Sequence, residues 1–200
     1  MSSKEIAKLR GRIDAIDAEL LALLNRRAAA ARRVGELKGG APAYRPERES
    51  EILRRVSAIK NEFLSRENAT SIFREIISAC RAVEQTIRVA YLGPQGTFSE
   101  QALRKHFGQA VEPQPAASID EVFRSAESEA TQFAVVPVEN STDGVVGRTL
   151  DLLLATPLRI CGEIELRVRQ NLLSRAPRLG AVRRVYSHAQ SLAQCNGWLS

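Results

Sequence analysis

Several things are missing from this chain, and each absence narrows what it is. No run of eighteen apolar residues occurs, so no membrane span is expected. The opening Met1-Ser-Ser-Lys-Glu5 lacks the apolar stretch of a secretory leader. The three cysteines, Cys80, Cys161 and Cys195, are odd in number and scattered, with no C-x-x-C pair. That pattern argues against a disulfide framework or a zinc site and predicts a reducing, cytoplasmic setting. Aromatics are scarce too: the first 88 residues hold only Tyr44, Phe63 and Phe73. There are no internal repeats and no low-complexity tracts. What remains is ordinary globular material, 200 residues at 44% hydrophobic and 26% charged, enough for one or two domains.

The net charge of +6 is not spread evenly. Residues 1–88 hold 18 Lys/Arg and 12 Asp/Glu, whereas residues 89–200 hold 11 of each. A basic module can serve nucleic acid, an acidic membrane or an anionic small molecule. The direction in which its arginines point decides among them.

The same border divides two structural styles. Ile6, Leu9, Ile13, Ile16, Leu20 and Leu23 alternate three- and four-residue steps, the seam of a long helix. Gly39-Gly40 followed by Pro42 should stop it, so the spacing predicts a helix over 4–38, about 50 Å long. Such a helix cannot bury its stripe inside 88 residues, which predicts an interlocked homodimer. Pro46 suits the first turn of a second helix with the stripe Glu49, Ile52, Val56, Ile59 and Phe63. A third is expected over 68–86, with Ile72, Phe73, Ile76, Ile77, Cys80, Val83 and Glu84 on one broad face. After Arg88 the grammar becomes α/β. Val89–Leu92 reads as a strand, and Thr97 with Glu100, then Ser118 with Glu121, read as capping boxes. Phe133–Val138 reads as a buried strand, and the alternation of Ile160, Gly162, Ile164, Leu166 and Val168 as a longer one. Val185-Tyr186 leads through Ser187-His188 into a last helical stretch.

The helical part carries charge where its period calls for apolar residues. Seven residues beyond the seam position Leu20 comes Arg27, and Lys38, about three turns further, returns to nearly the same face. Glu49, beside Arg48, opens the second stripe, and Glu84 follows Cys80 by four on the third. Any one of these alone is an ordinary side chain snorkelling over a solvated edge. Two cations and two acids converging from three helices predict a pocket for a polar anion. Arg10 does not reach that pocket in its own chain, being about 25 Å from Arg27 along the axis and about 100° around it. It fits only the partner's site in an antiparallel dimer.

The segments Leu9-Arg10, Asn25-Arg26-Arg27, Val34-Gly35-Glu36-Leu37-Lys38, Arg45-Pro46-Glu47-Arg48-Glu49, Ile76–Cys80 and Glu84-Gln85 together resemble the all-helical chorismate mutase family. The resemblance implies an intertwined dimer with two sites. Arg27 and the partner subunit's Arg10 would grip the two carboxylates of chorismate. Lys38 would donate to the ether oxygen of the breaking bond, Glu49 near Arg48 would hold the ring hydroxyl, and Cys80 would line the site. The rearrangement to prephenate needs no nucleophile, metal or cofactor, only a held conformer and a stabilised developing charge. Two positions depart from the family pattern. Arg45 stands where many members carry an acid, so no role follows for it. Glu84 stands where the commonest type has a glutamine, and a glutamate donates only when protonated. This predicts turnover that rises toward mildly acidic pH.

In the second part, Gly93-Pro-Gln-Gly-Thr-Phe-Ser-Glu100 can be simply a turn and helix cap, or a backbone cradle for a carboxylate. Pro137–Gly144 follows a strand, where open α/β sheets place ligand groups, and Ser187–Cys195 opens a helix. In this order the three resemble the prephenate dehydratase domain, over 89–200. Directly after a mutase module they resemble the bifunctional enzymes that join both steps in phenylalanine biosynthesis. The implied fold is a pair of α/β lobes of the periplasmic-binding-protein kind with prephenate between them. Glu139 is the candidate catalytic residue, as an acid or through its hydrogen-bond network, with Thr97, Asn140, Ser141, Ser187 and Gln194 as substrate-binding positions. Ala189 replaces the proline usual after this histidine. The Thr-Arg-Phe motif of that family does not occur in 1–200, so the expected domain is incomplete, its dehydratase weak or dead, with apolar surface left exposed.

Two rivals predict different patterns. A basic helical dimer on nucleic acid, with an α/β ligand sensor, calls for exposed arginines interleaved with aromatics. A periplasmic binding module calls for a leader and no mutase segment. The inward arginines and the quoted motifs favour neither, leaving chorismate and prephenate as partners and no nucleic acid or membrane.

Overall fold

A computed structural model describes residues 3–38, 44–60, 62–141 and 144–200, the side chain of Gln190 excepted. The expected Gly39-Gly40 and Pro42 stop, and Thr142-Asp143 of the Pro137–Gly144 motif, lie outside the described residues.

The first part is helical, as its periodicity requires. Helix α1 runs Ser3–Leu37, α2 Pro46–Ala58 and α3 Arg66–Glu84. Pro46 does open α2, and Ser65 caps α3 by accepting from the Asn68 amide at 3.0 Å. Both α1 and α2 pack on α3. The stripes are buried only in part. On α2 the stripe ends at Val56, because the helix stops at Ala58 and Ile59 turns extended; Phe63, expected on it, is 91% exposed. The broad face of α3 splits, with Ile77 and Cys80 buried and Ile72, Phe73 and Val83 exposed. Helix α1 buries no residue at all, and its seam from Ile6 to Leu23 stays 43–56% exposed.

The second part is an α/β unit. Strand β1 (Arg88–Leu92) lies between β2 (Glu112–Ala116) and β3 (Phe133–Val135), all parallel. Helix α4 (Phe98–Phe107) links β1 to β2, and α5 (Ile119–Glu127) links β2 to β3. The chain thus steps to one side of β1 and then to the other, and right-handed crossovers place the two helices on opposite faces. Strand β1 accordingly reads as a continuous apolar run, with Val89, Ala90 and Tyr91 all buried. Prolines 113 and 115 are tolerated in β2 because it is an edge strand. The core joins Val89, Tyr91, Leu103, Phe107, Val111 and Val135 with Tyr44, which reaches in from the helical part.

Two expectations are corrected here. The strand expected over 133–138 is shorter, with β3 ending at Val135 before Pro137, and Val138 is exposed. Glu139–Asn140 instead forms β4, antiparallel to β5 (Gly144–Val145) and followed by α6 (Gly147–Ala155). No strand forms over 160–168: the alternation is real, with Ile164 and Leu166 half-buried, but no strand pairs with this segment among the described residues. Past α6, the described helical elements are a short 3₁₀ turn at Leu179–Ala181, α7 (Ala189–Gln194) and α8 (Asn196–Leu199). Leu154, Leu173 and Tyr186 are strongly exposed, as expected of that half.

Candidate active site

The last turns of α1, the first turn of α2 and the C-terminal half of α3 meet at one place. Lys38 follows α1 directly, its amide still donating to Val34 at 3.2 Å and Gly35 at 3.1 Å, so its side chain leaves from a fixed helix end. The Lys38 ammonium lies 3.9 Å from Glu84 Oε1, with the two side chains 24% and 13% exposed. That same oxygen is buried and accepts no hydrogen bond among the described residues. Glu84 can sit there only because position 35 is glycine: a Cβ on Gly35 would fall 2.4 Å from Glu84 Cγ. The Val34-Gly35 pair therefore has a steric purpose, the close approach of α1 to an acid on α3.

Glu49 faces the same interior from α2. Its expected neighbour was Arg48, but Arg48 turns along the exposed side of α2 to Glu51 at 2.5 Å. The cation that holds Glu49 is Arg81, at 2.5 Å and almost fully buried. Burial pushes the Glu49 carboxyl above the usual carboxylate range, against the pull of Arg81, Arg27 and Arg74. Arg27 is half-buried and close enough to act on Glu49 electrostatically. Cys80 is buried one turn before Glu84. Arg10 lies exposed near the other end of α1, beside Ile6, Ala7 and Asp14, as its spacing from Arg27 dictates.

Arg81 was the residue missed. It follows Ile77 by four, so the test that singled out Glu84, a charge on an apolar stripe, singles it out as well. Tyr44 was missed for a different reason. Nothing local in a loop tyrosine indicates that its ring will pack on Phe107 and Phe133 of another unit, 5.1 and 4.9 Å away.

The α/β part gathers its own polar edge. Thr97 follows β1 and Glu139–Ser141 follow β3, so two neighbouring parallel strands deliver them to the same, C-terminal, edge of the sheet. The first capping box differs in detail from expectation: the Thr97 hydroxyl donates back to Leu92 O at 3.2 Å rather than capping α4. Glu100 Oε2 instead accepts from the Gly96 amide at 2.8 Å, which holds its carboxyl below the usual range. Ser118 caps α5 as expected, accepting from the Glu121 amide at 3.2 Å. Glu139 is exposed and pairs in register with Val145, Asn140 with Gly144, and Ser141 lies exposed in the turn. Thr149 of α6 is buried and donates to Pro137 O at 2.7 Å, tying the motif to the helix behind it. Ser187 and Gln194 belong to the segment after α6, which adds no described strand to the sheet; Gln194 accepts from Gln170 at 3.1 Å.

Comparison with known proteins agrees with both halves. Residues 9–85 match the family model of chorismate mutase type II, and residues 89–200 that of prephenate dehydratase. A bifunctional chorismate mutase/prephenate dehydratase of Neisseria gonorrhoeae is 50% identical over 191 residues, 95% of this chain and 53% of that protein. The protein of the same name from Pseudomonas aeruginosa is 48% identical over 203 residues, 98% of this chain and 56% of the relative. That from Escherichia coli K12 is 33% identical over 220 residues, 100% of this chain and 57% of the relative. The chain thus spans about half the length of the curated relatives it matches. By these matches the chain belongs to the prephenate dehydratase family and carries a chorismate mutase type II module ahead of the dehydratase segment.

Proposed function

We propose that the helical part, residues 1–88, rearranges chorismate to prephenate, and that the α/β part, residues 89–200, receives prephenate for decarboxylating dehydration to phenylpyruvate. The observation that carries the first half is the cluster of Arg27, Lys38, Glu49 and Glu84 about one interior, with a buried Glu84 oxygen that finds no donor among the described residues. A dianionic substrate suits it. Arg27 takes one carboxylate with its planar fork, and Lys38 acts as a compact donor to the ether oxygen as charge develops there. Glu49 accepts from the ring hydroxyl, and Glu84, when protonated, supplies a second donor to the ether oxygen. The reaction moves electrons within one molecule, so holding the reactive conformer accounts for much of the rate.

The other carboxylate requires a cation that α1 does not bring to its own pocket, and the partner subunit's Arg10 fills that role in an antiparallel homodimer. The exposed α1 seam, six apolar side chains at helical spacing, is the surface such a dimer would bury. A cytoplasmic setting suits these substrates, and no described helix is long and apolar enough to cross a membrane. The nucleic-acid reading has no support from the family matches, and Arg27 and Arg81 turn inward.

In the dehydratase half, prephenate loses carbon dioxide and hydroxide together to become aromatic. Glu139 would assist hydroxide departure as an acid or through its hydrogen-bond network, with Thr97, Asn140, Ser141, Ser187 and Gln194 orienting the ring and carboxylates. Assaying chorismate disappearance with the purified chain tests the mutase half. Arg27→Ala and Arg10→Ala should each lower turnover by about a hundredfold or more, the usual scale for a lost charge-stabilising donor. Mixing the two should restore part of it, because one of the two hybrid sites then keeps both arginines. No turnover by the unaltered chain overturns the mutase reading; no recovery after subunit exchange overturns the shared site. Phenylpyruvate formed from prephenate would show that these residues also carry out the second reaction.

A further inference from the structure

We propose that Arg81 is a positioning residue for the mutase site, holding the Glu49 carboxylate from an anchor in the α/β part, so that the second unit braces the first one's pocket. The proposal rests on the mutase reading above and deepens it.

Arg81 is 4% exposed, and a guanidinium taken that far out of water must be paired. Its two arms go in different directions. Nη1 donates to Glu49 Oε1 at 2.5 Å, while Nη2 donates to the main-chain oxygen of Phe107, also at 2.5 Å. Phe107 is the last residue of α4, and carbonyls of a last turn lack partners within their own helix. A buried cation satisfies one of them and complements the negative end of the helix dipole. The face of Tyr44 closes over the guanidinium, 5.1 Å from its carbon, and the Tyr44 hydroxyl meets His106 Nε2 at 2.6 Å. Arg81 is therefore clamped on its α/β side, and what it presents to the helical side is a rigid donor aimed at Glu49.

The neighbouring turns of α3 repeat the attachment. Glu75 Oε2 accepts from the Gln109 amide at 3.0 Å, and Ser78 Oγ from the Ala110 amide at 3.1 Å. Gly108 lies between, at φ +80°, and a Cβ there would fall 2.4 Å from Ser78 Cβ. Residues 75, 78 and 81 thus bind one face of α3 to the end of α4, and only the last of them continues through to the pocket. A planar fork can span two fixed acceptors; a lysine in its place reaches one at a time.

The test uses the full chain and follows chorismate kinetics together with thermal unfolding. Arg81→Met should raise KM about tenfold, the scale of a mispositioned charged hydrogen bond, with kcat altered less than about threefold. Arg81→Lys should recover part of this, leaving KM about threefold above the unaltered chain. In a Glu49→Ala background, Arg81→Met should move KM less than about twofold, since no carboxylate remains to be held. Ser78→Ala combined with Glu75→Gln, which loosens α3 from α4 without touching the pocket, should raise KM in the same direction, by about twofold. A merely structural Arg81 would instead lower the unfolding temperature with KM unmoved and effects adding across the cycle. KM unchanged in folded Arg81→Met overturns the proposal; should that variant not fold, KM unchanged in Arg81→Lys does so. An unaltered chain that turns over no chorismate removes the mutase reading and this proposal with it, whereas turnover with KM indifferent to Arg81 removes the proposal alone.

Discussion

The two ends of this chain treat their apolar residues in opposite ways. In the α/β part, Val89, Leu103 and Val122 have no exposed surface, and each face of β1 has its helix. In the helical part a 35-residue helix buries nothing completely, although its seam is as regular as any in the sequence. The sheet finds its partners within one chain. The long helix outruns the 88 residues available to cover it. The candidate mutase pocket lies where those two regimes meet, with Glu84 beside the end of α1 and Glu49 tied through Arg81 to the end of α4.

This contrast can be broken experimentally, beginning with the core. Leu103→Ala should cost about 3 kcal/mol, the usual toll of a buried leucine truncation, and lower the unfolding temperature equally at all protein concentrations. Leu20→Ala, on the α1 seam, should act differently if a second copy covers that seam. Its unfolding temperature should fall most at low protein concentration, and calorimetry over a dilution series would reveal it. Equal behaviour of the two variants would remove the distinction between a self-sufficient core and a shared one.

Gly35→Ala carries the contrast into the pocket. The added Cβ would collide with Glu84, so kcat for chorismate should fall by about tenfold while the α/β core keeps its stability. Glu84→Gln is a gentler change. The glutamine amide is a permanent donor to the ether oxygen, whereas a carboxylate only accepts, so kcat for chorismate should rise by about threefold in steady-state kinetics. A kcat that Glu84→Gln leaves unchanged would exclude position 84 as a donor to that oxygen.

The smallest effect is expected at the joint between the units. Burial, assisted by Arg74 and Arg81, holds the His106 pKa below its ordinary value of 6.5. The folded chain therefore resists a proton that the unfolded chain accepts. His106 contributes its stability in full above about pH 6.5 and loses it as the pH falls from there toward the depressed folded value. His106→Gln should reduce this acid-side fall in unfolding temperature. An unchanged fall would place its cause elsewhere.

Much of this was legible from residue order. The helix period placed α1, α2 and α3 within a few residues, and its interruptions marked Arg27, Lys38, Glu49 and Glu84. The same rule, applied three residues earlier on α3, would have marked Arg81. What periodicity could not give was pairing. Arg48 adjoins Glu49 in sequence, yet neighbours on a helix point about 100° apart, and Arg48 finds Glu51 three residues on. The alternation over 160–168 has the pattern of a strand, but a strand exists only with a neighbour to bond, and none pairs with it among the described residues.

The sequence by itself determined the two units, their helical and α/β characters, and the charged positions that face inward, because periodicity and capping act over a few residues. Only the tertiary structure decided that Glu49 answers to Arg81, that Gly35 makes room for Glu84, and that Tyr44 and Phe107 lock the two units together. Those contacts join residues separated by 32, 49 and 63 positions, and a local pattern carries no information about which distant surface will close over it.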